Sequence, residues 1–249
     1  MFDWNYWLEL FEERARNLVI RRPPPEDRLS DAERARIGNS LGTFQLGEQS
    51  EGRTLQSFAE AFAARRGIPQ LPGVTALFIK EEQHHAAQLA EFMRANGIPL
   101  KRRNWTDSVF RRIRKLAGYE AAVTILVTAE MIGFVYYRAL ARATASPCLG
   151  RICREMCADE AIHLRYETQL LMTLRGQRAP PARRCVEFLH QTLLSVSARV
   201  VFHDHRRVLR HVGYTPASFR KDCVAIYRMV MSNHARRPRS RGPAEKLAA

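Results

Sequence analysis

Seventeen consecutive residues, Ala121–Tyr137, contain one charged side chain, Glu130, near their centre. The run is at the short end of what crosses a bilayer, and it carries an acid where a span would be most apolar. It reads instead as a helix buried on every side, and such a helix needs other helices packed around it. A chain of 249 residues that is 46% hydrophobic has enough apolar material to build that core. No membrane span is expected.

Strand signals are almost absent, while helical periodicity recurs along the chain. An amphipathic N-terminal piece (Trp4, Trp7, Leu8, Phe11, Leu18) is expected to run to Arg22 and break at Pro23-Pro24-Pro25. The capping box Ser30-Asp31-Ala32-Glu33 opens a long helix expected to reach Arg66 and stop at Gly67-Ile68-Pro69. A second long helix runs from near Val74 to Asn96-Gly97. A basic crossover, Lys101 to Lys115, with a short helix from Thr106, leads to a third from Tyr119 to about Ala143. Ser146-Pro147 begins a fourth that stops at Gly176. A fifth follows Pro180-Pro181 to about His211, and Thr215-Pro216 starts a sixth that ends near Ser232. The expected architecture is all-α: a four-helix bundle over about 31–174, with one helix added before it and two after. One domain is expected over 1–234, followed by a basic, disordered tail over 235–249.

Forty Lys and Arg against 25 Asp and Glu leave a formal charge of +15, with Arg236, Arg237, Arg239 and Arg241 clustered near the end. Such a balance points to an acidic partner: nucleic acid, an acidic carrier protein or an acidic electron donor. The bland alternative is an arginine-rich solvated surface. Five cysteines, an odd number with no CxxC pair, give neither a disulfide framework nor a thiolate zinc site. No N-terminal segment has the form of a signal peptide, and a reducing cytoplasm is the expected location.

The chemistry-bearing pattern lies in the bundle. The second long helix carries Glu81-Glu82-Gln83-His84-His85 and the fourth carries Asp159-Glu160-Ala161-Ile162-His163. A Glu and a His three apart share one helix face, a turn apart, so both can reach one cation. The first and third long helices each offer one acid, Glu48 and Glu130. One Glu from each of two helices plus Glu-x-x-His from each of the other two is the ligand set of a di-metal carboxylate bundle. Eight histidines make one chance Glu-x-x-His unremarkable, and Glu187-Phe188-Leu189-His190 is another example. Helix faces separate the cases. Glu82 and His85 share a stripe with Phe78, Leu89 and Phe92, whereas Glu81 and His84 continue to Gln88 and Glu91, a wetter face. Glu160 and His163 lie among Cys153, Met156, Leu170 and Leu174. Glu48 lies among Leu41, Phe44, Leu55 and Phe62, and Glu130 among Val123, Val127, Phe134 and Tyr137. Glu187 and His190 share a stripe with Arg183 and Ser197 and read as a surface or helix-docking pair. Four carboxylates facing a core need neutralising, and two divalent cations balance them with both imidazoles neutral.

These motifs, with Gly47-Glu48-Gln49-Ser50 and Ala129-Glu130-Met131-Ile132-Gly133, resemble the ferritin-like superfamily over about Asp31 to Leu174. The likeness is to its di-iron carboxylate branch of rubrerythrins, acyl-carrier desaturases and related oxygenases. The resemblance implies two iron ions (Fe/Mn or Mn as variants) held by Glu48, Glu82, His85, Glu130, Glu160 and His163, with O2 as co-substrate. It also implies that Asp159 contacts His85 and Glu81 contacts His163, orienting the rings; Glu167, four residues after His163 on the same stripe, is a candidate added ligand or proton relay. Departures narrow the activity. Gly133 stands where peroxidase-type members carry a further Glu and desaturases a Thr; it either opens space beside the metals or lets two helices pack closely. Met156 replaces the third His of arylamine oxygenases, and Leu89 replaces the radical Tyr of ribonucleotide reductases. The implied activity is an O2-dependent oxidoreductase, a monooxygenase or oxidase acting on an organic substrate, with carrier-bound substrates included. A ferredoxin or reductase would supply electrons, and a homodimer is expected. Two alternatives are a ferroxidase or peroxide scavenger and a basic nucleic-acid-binding protein. His203-Asp204-His205 reads as solvent-facing.

Overall fold

The computed structural model describes residues 2–49, 52–102, 118–176 and 178–233. The expected short helix from Thr106 and the basic tail lie outside them. The protein is all-helical: α1 (Trp4–Arg16), α2 (Asp31–Glu48), α3 (Arg53–Arg66), α4 (Leu71–Ala95), α5 (Gly118–Ala143), α6 (Pro147–Arg175), α7 (Pro180–Asp204), α8 (Arg206–His211) and α9 (Pro216–Asn233). The chain divides into two compact units, Met1–Ala122 and Val123–Ala249.

In the first unit α4 is the hub, with α1, α2 and α3 each packed on it. Asp3 accepts from the Tyr6 amide at 3.0 Å to start α1, which buries Trp7 and Phe11. Phe11 meets Phe78 of α4 edge to face, with ring centroids 6.5 Å apart. The Ser30 cap operates as expected, accepting from the Glu33 amide at 3.2 Å. The long helix from Ser30 does not reach Arg66, however. It ends at Glu48, and a new helix begins at Arg53. Gly52 explains the break: it sits at φ +65°, where side chains are disfavoured, with Ile79 of α4 so close that a Cβ would lie 2.5 Å from Cδ1.

α1 stops at Arg16 rather than Arg22, and residues 17–30 continue without helix along α4. This segment is pinned by side-chain amides. Gln88 Oε1 accepts from the Arg21 amide and its Nε2 donates to the Arg21 carbonyl, both at 2.7 Å. Asn96 Oδ1 accepts from the Leu29 amide at 2.8 Å.

In the second unit α5 supplies the apolar run, including Val127, Phe134 and Tyr137, all buried. By length and composition α5 is long and apolar enough to span a membrane, and most of its apolar window is buried within the protein. Ser146 caps α6 by accepting from the Leu149 amide at 3.0 Å, with Pro147 in the first turn. α7 packs on α9, with the Phe202 and Phe219 ring centroids 6.1 Å apart, and Leu194, Ala198 and Cys223 are buried as well. Thr215 and Ser218 cap α9 reciprocally: the Ser218 amide donates to Thr215 Oγ1 at 3.1 Å and the Thr215 amide to Ser218 Oγ at 2.9 Å. The expected fifth helix is broken at His205 into α7 and α8. Of the triplet read as solvent-facing, only His203 is fully so; His205 is buried, edge-on to Tyr136 at 5.3 Å.

Candidate metal centre

Each Glu-x-x-His string holds its two side chains together on its own helix. On α4, His85 Nδ1 and Glu82 Oε1 are 3.6 Å apart, with the side chains 3% and 12% exposed. On α6, His163 Nδ1 and Glu160 Oε2 are 3.4 Å apart, and both are buried completely or nearly so. The two pairs have the same construction, which follows from the same residues at the same helical spacing. Both separations exceed a well-formed N–H···O hydrogen bond, which spans about 2.7–3.2 Å. They suit two donors on one ion. Ligand atoms about 2.1 Å from a shared cation lie about 3.0 Å apart at a right angle and about 3.4 Å apart at a tetrahedral angle. One ligand atom from each of Glu82, His85, Glu160 and His163 lies within 4.8 Å of the others, a buried cluster compatible with a di-iron site.

Glu48 and Glu130 are not among the four donors so gathered. Glu48 is the last residue of α2, half-buried, where the helix gives way before Gly52. Glu130 is buried in α5 among its apolar neighbours. Glu167 is buried on α6, and Asp159 is half-buried one residue before Glu160. A Cβ on Gly133, one turn beyond Glu130, would be in ordinary van der Waals contact with Tyr137 Cε2, at 3.8 Å.

The face of Glu81 is not wet. Glu81 is 1% exposed and Gln88 5%, because α1 and residues 17–30 lie along that side of α4. Arg14 presents a fork to Glu81: Nε donates to Oε1 at 2.9 Å and Nη2 to Oε2 at 2.9 Å. Arg22 also pairs with Glu91 at 3.2 Å. Arg14 was not singled out from the sequence; a basic residue in the last turn of an amphipathic helix signals nothing about a partner 67 positions away.

A second buried polar group was also missed. Arg175, wholly buried at the end of α6, donates from Nη2 to Thr124 Oγ1 at 3.0 Å and lies 3.4 Å from His190 Nδ1. Thr128 donates its hydroxyl to the Thr124 carbonyl at 2.7 Å, so it accepts from His190 Nε2, 3.1 Å away. That assigns the tautomer: Nε2 carries the proton and Nδ1 faces the guanidinium. Burial first, and Arg175 second, push the His190 pKa down to about 3. His190 is therefore a neutral core histidine, not a surface residue, although Glu187 in the same string does pair with exposed Arg183 at 3.1 Å. Burial likewise drives the Cys157 thiol up to about 12, with the Glu160 carboxylate adding to the effect, so this thiol beside the cluster is inert at neutral pH.

No protein-family model and no curated protein matches this chain. Fold and site alone define it: an all-helical protein with a buried carboxylate and imidazole cluster able to hold a metal ion.

Proposed function

We propose that the protein is a ferritin-like di-iron oxidoreductase that uses O2 to oxidise an organic substrate. The observation that carries this reading is the burial of two identical Glu/His pairs whose four donor atoms converge within 4.8 Å. Carboxylate oxygen and imidazole nitrogen are donors that suit iron or manganese. Two divalent cations supply the positive charge that buried carboxylates require, and when bound they provide the redox chemistry of O2 reduction.

The chain's own residues do the rest. Glu82 and Glu160 bring carboxylate oxygens to the site, while His85 and His163 present their Nδ1 atoms. Glu48 and Glu130 are proposed to complete the ligand set, the first from a helix end that can adjust its position. The buried apolar side chains of α5 are proposed to keep water from the metals, and the bare backbone at Gly133 to leave room for a small molecule. An acidic ferredoxin or reductase as electron donor suits the +15 charge. The helices added before and after the metal-bearing ones favour an organic substrate over iron storage.

The test is metal content after anaerobic loading with ferrous iron. Two ions per chain are expected, falling to one or none in Glu160→Ala and Glu82→Ala, with O2 uptake by the loaded protein lost in parallel. Full metal content in either variant would remove the assignment. A loaded protein that oxidises added Fe(II) but ignores all organic substrates would make it a ferroxidase.

A further inference from the structure

We propose that the outer face of α7 is a docking surface for an acidic protein that presents an amphipathic helix. The inference is independent of the metal reading. α7 is apolar on two opposite sides. Its inner side buries Leu194, Ala198 and Phe202, yet on its outer side Phe188 is 69% exposed, Leu189 57% and Val196 52%. At 100° per residue these three fall within one stripe, which Thr192 joins and which Arg199 and His203 extend, all of them exposed. A helix apolar on both sides is normally covered on both, and a contiguous exposed apolar stripe marks a contact surface.

Charge selects the occupant. Arg184 stands exposed beside the start of the stripe, and Arg199, Arg206 and Arg207 at its end. The only acids between Pro180 and Arg207 are Glu187, already paired with Arg183, and half-buried Asp204. A second copy of the chain laid on this face, parallel or antiparallel, would set arginines against arginines. A nucleic acid would engage the arginines but leave the apolar centre uncovered. A helix with apolar residues along its middle and carboxylates at both ends satisfies both features. A contact built on one helix face is small, so a transient, salt-sensitive complex is expected.

The probe is a fluorescein-labelled helical peptide with Leu at i, i+4 and i+7 and Glu elsewhere, read by anisotropy against the full chain. It is expected to bind at low salt, to lose at least about tenfold in affinity in Phe188→Ser/Val196→Ser, and to weaken in Arg199→Glu and at high salt. A matching peptide with Lys for Glu is expected not to bind. These side chains are exposed, so circular dichroism should show the variants folded. The proposal is overturned if the Glu peptide does not bind, or binds the double variant equally well. Sedimentation showing a wild-type dimer that the double variant converts to monomer would assign the face to self-association. Displacement of the peptide by duplex RNA whose binding ignores Phe188 and Val196 would assign it to nucleic acid.

Discussion

His190 makes the acid sensitivity of the second unit calculable. In the folded protein its pKa is lowered to about 3 from the ordinary 6.5, chiefly because burial penalises the charged ring and secondarily because Arg175 stands beside it. Above pH 6.5 both folded and unfolded chains carry this ring neutral, and it contributes no pH dependence. As pH falls below 6.5 the unfolded chain takes up a proton that the folded chain refuses, so stability is lost at about 1.4 kcal/mol per pH unit. Between pH 7 and pH 5 the loss from this one group is about 2 kcal/mol, and it would reach about 4 kcal/mol near pH 3. Other groups titrate over the same range, so the measurement is a difference. Urea unfolding followed by far-UV circular dichroism at pH 7 and pH 5 is compared for the wild type and for His190→Gln. The amide can still donate to Thr128 but does not titrate. The wild type is expected to lose about 2 kcal/mol more than the variant. Equal losses would mean that His190 protonates without unfolding, and the sealed Arg175–His190–Thr128 arrangement would be refuted.

Two further perturbations test the first unit. Gly52→Ala forces a side chain onto a left-handed backbone and against Ile79, and should destabilise by about 2 kcal/mol or more in thermal unfolding; adding Ile79→Ala should restore only the steric part, and an unaltered melting temperature in the single variant would contradict the geometry. Arg14→Leu removes the fork from buried Glu81 and should cost about 3 kcal/mol by urea unfolding, most of it recovered in Arg14→Leu/Glu81→Leu; a single variant as stable as the wild type would show that the pair holds nothing.

Much of this protein was legible in its sequence because the relevant forces are local. The Ser30 and Ser146 caps and the α9 start rest on hydrogen bonds between residues three apart. The burial of α5 follows from a composition that water would not tolerate. The pairing of Glu82 with His85 and of Glu160 with His163 was equally readable, since the helical period alone puts residues three apart on one face. The long helix from Ser30 misled because its local propensity is good throughout. The helical path is left by Gly52, whose left-handed backbone lies against Ile79, 27 positions further on. The face of Glu81 misled for the same reason in reverse: its polarity matched a wet surface, and only Arg14 and the Gln88 clamp show it to be covered.

Helix type, the capped helix starts and the spacing of the donors were thus determined by the sequence itself, through backbone hydrogen bonds and side-chain period that act over a turn or two. Which faces are dry, where α2 stops beneath Glu48, and that His190 is a neutral core residue were decided by tertiary structure alone. Burial and the pKa shifts that follow from it depend on whatever distant segment comes to lie against a side chain, and no local pattern encodes that.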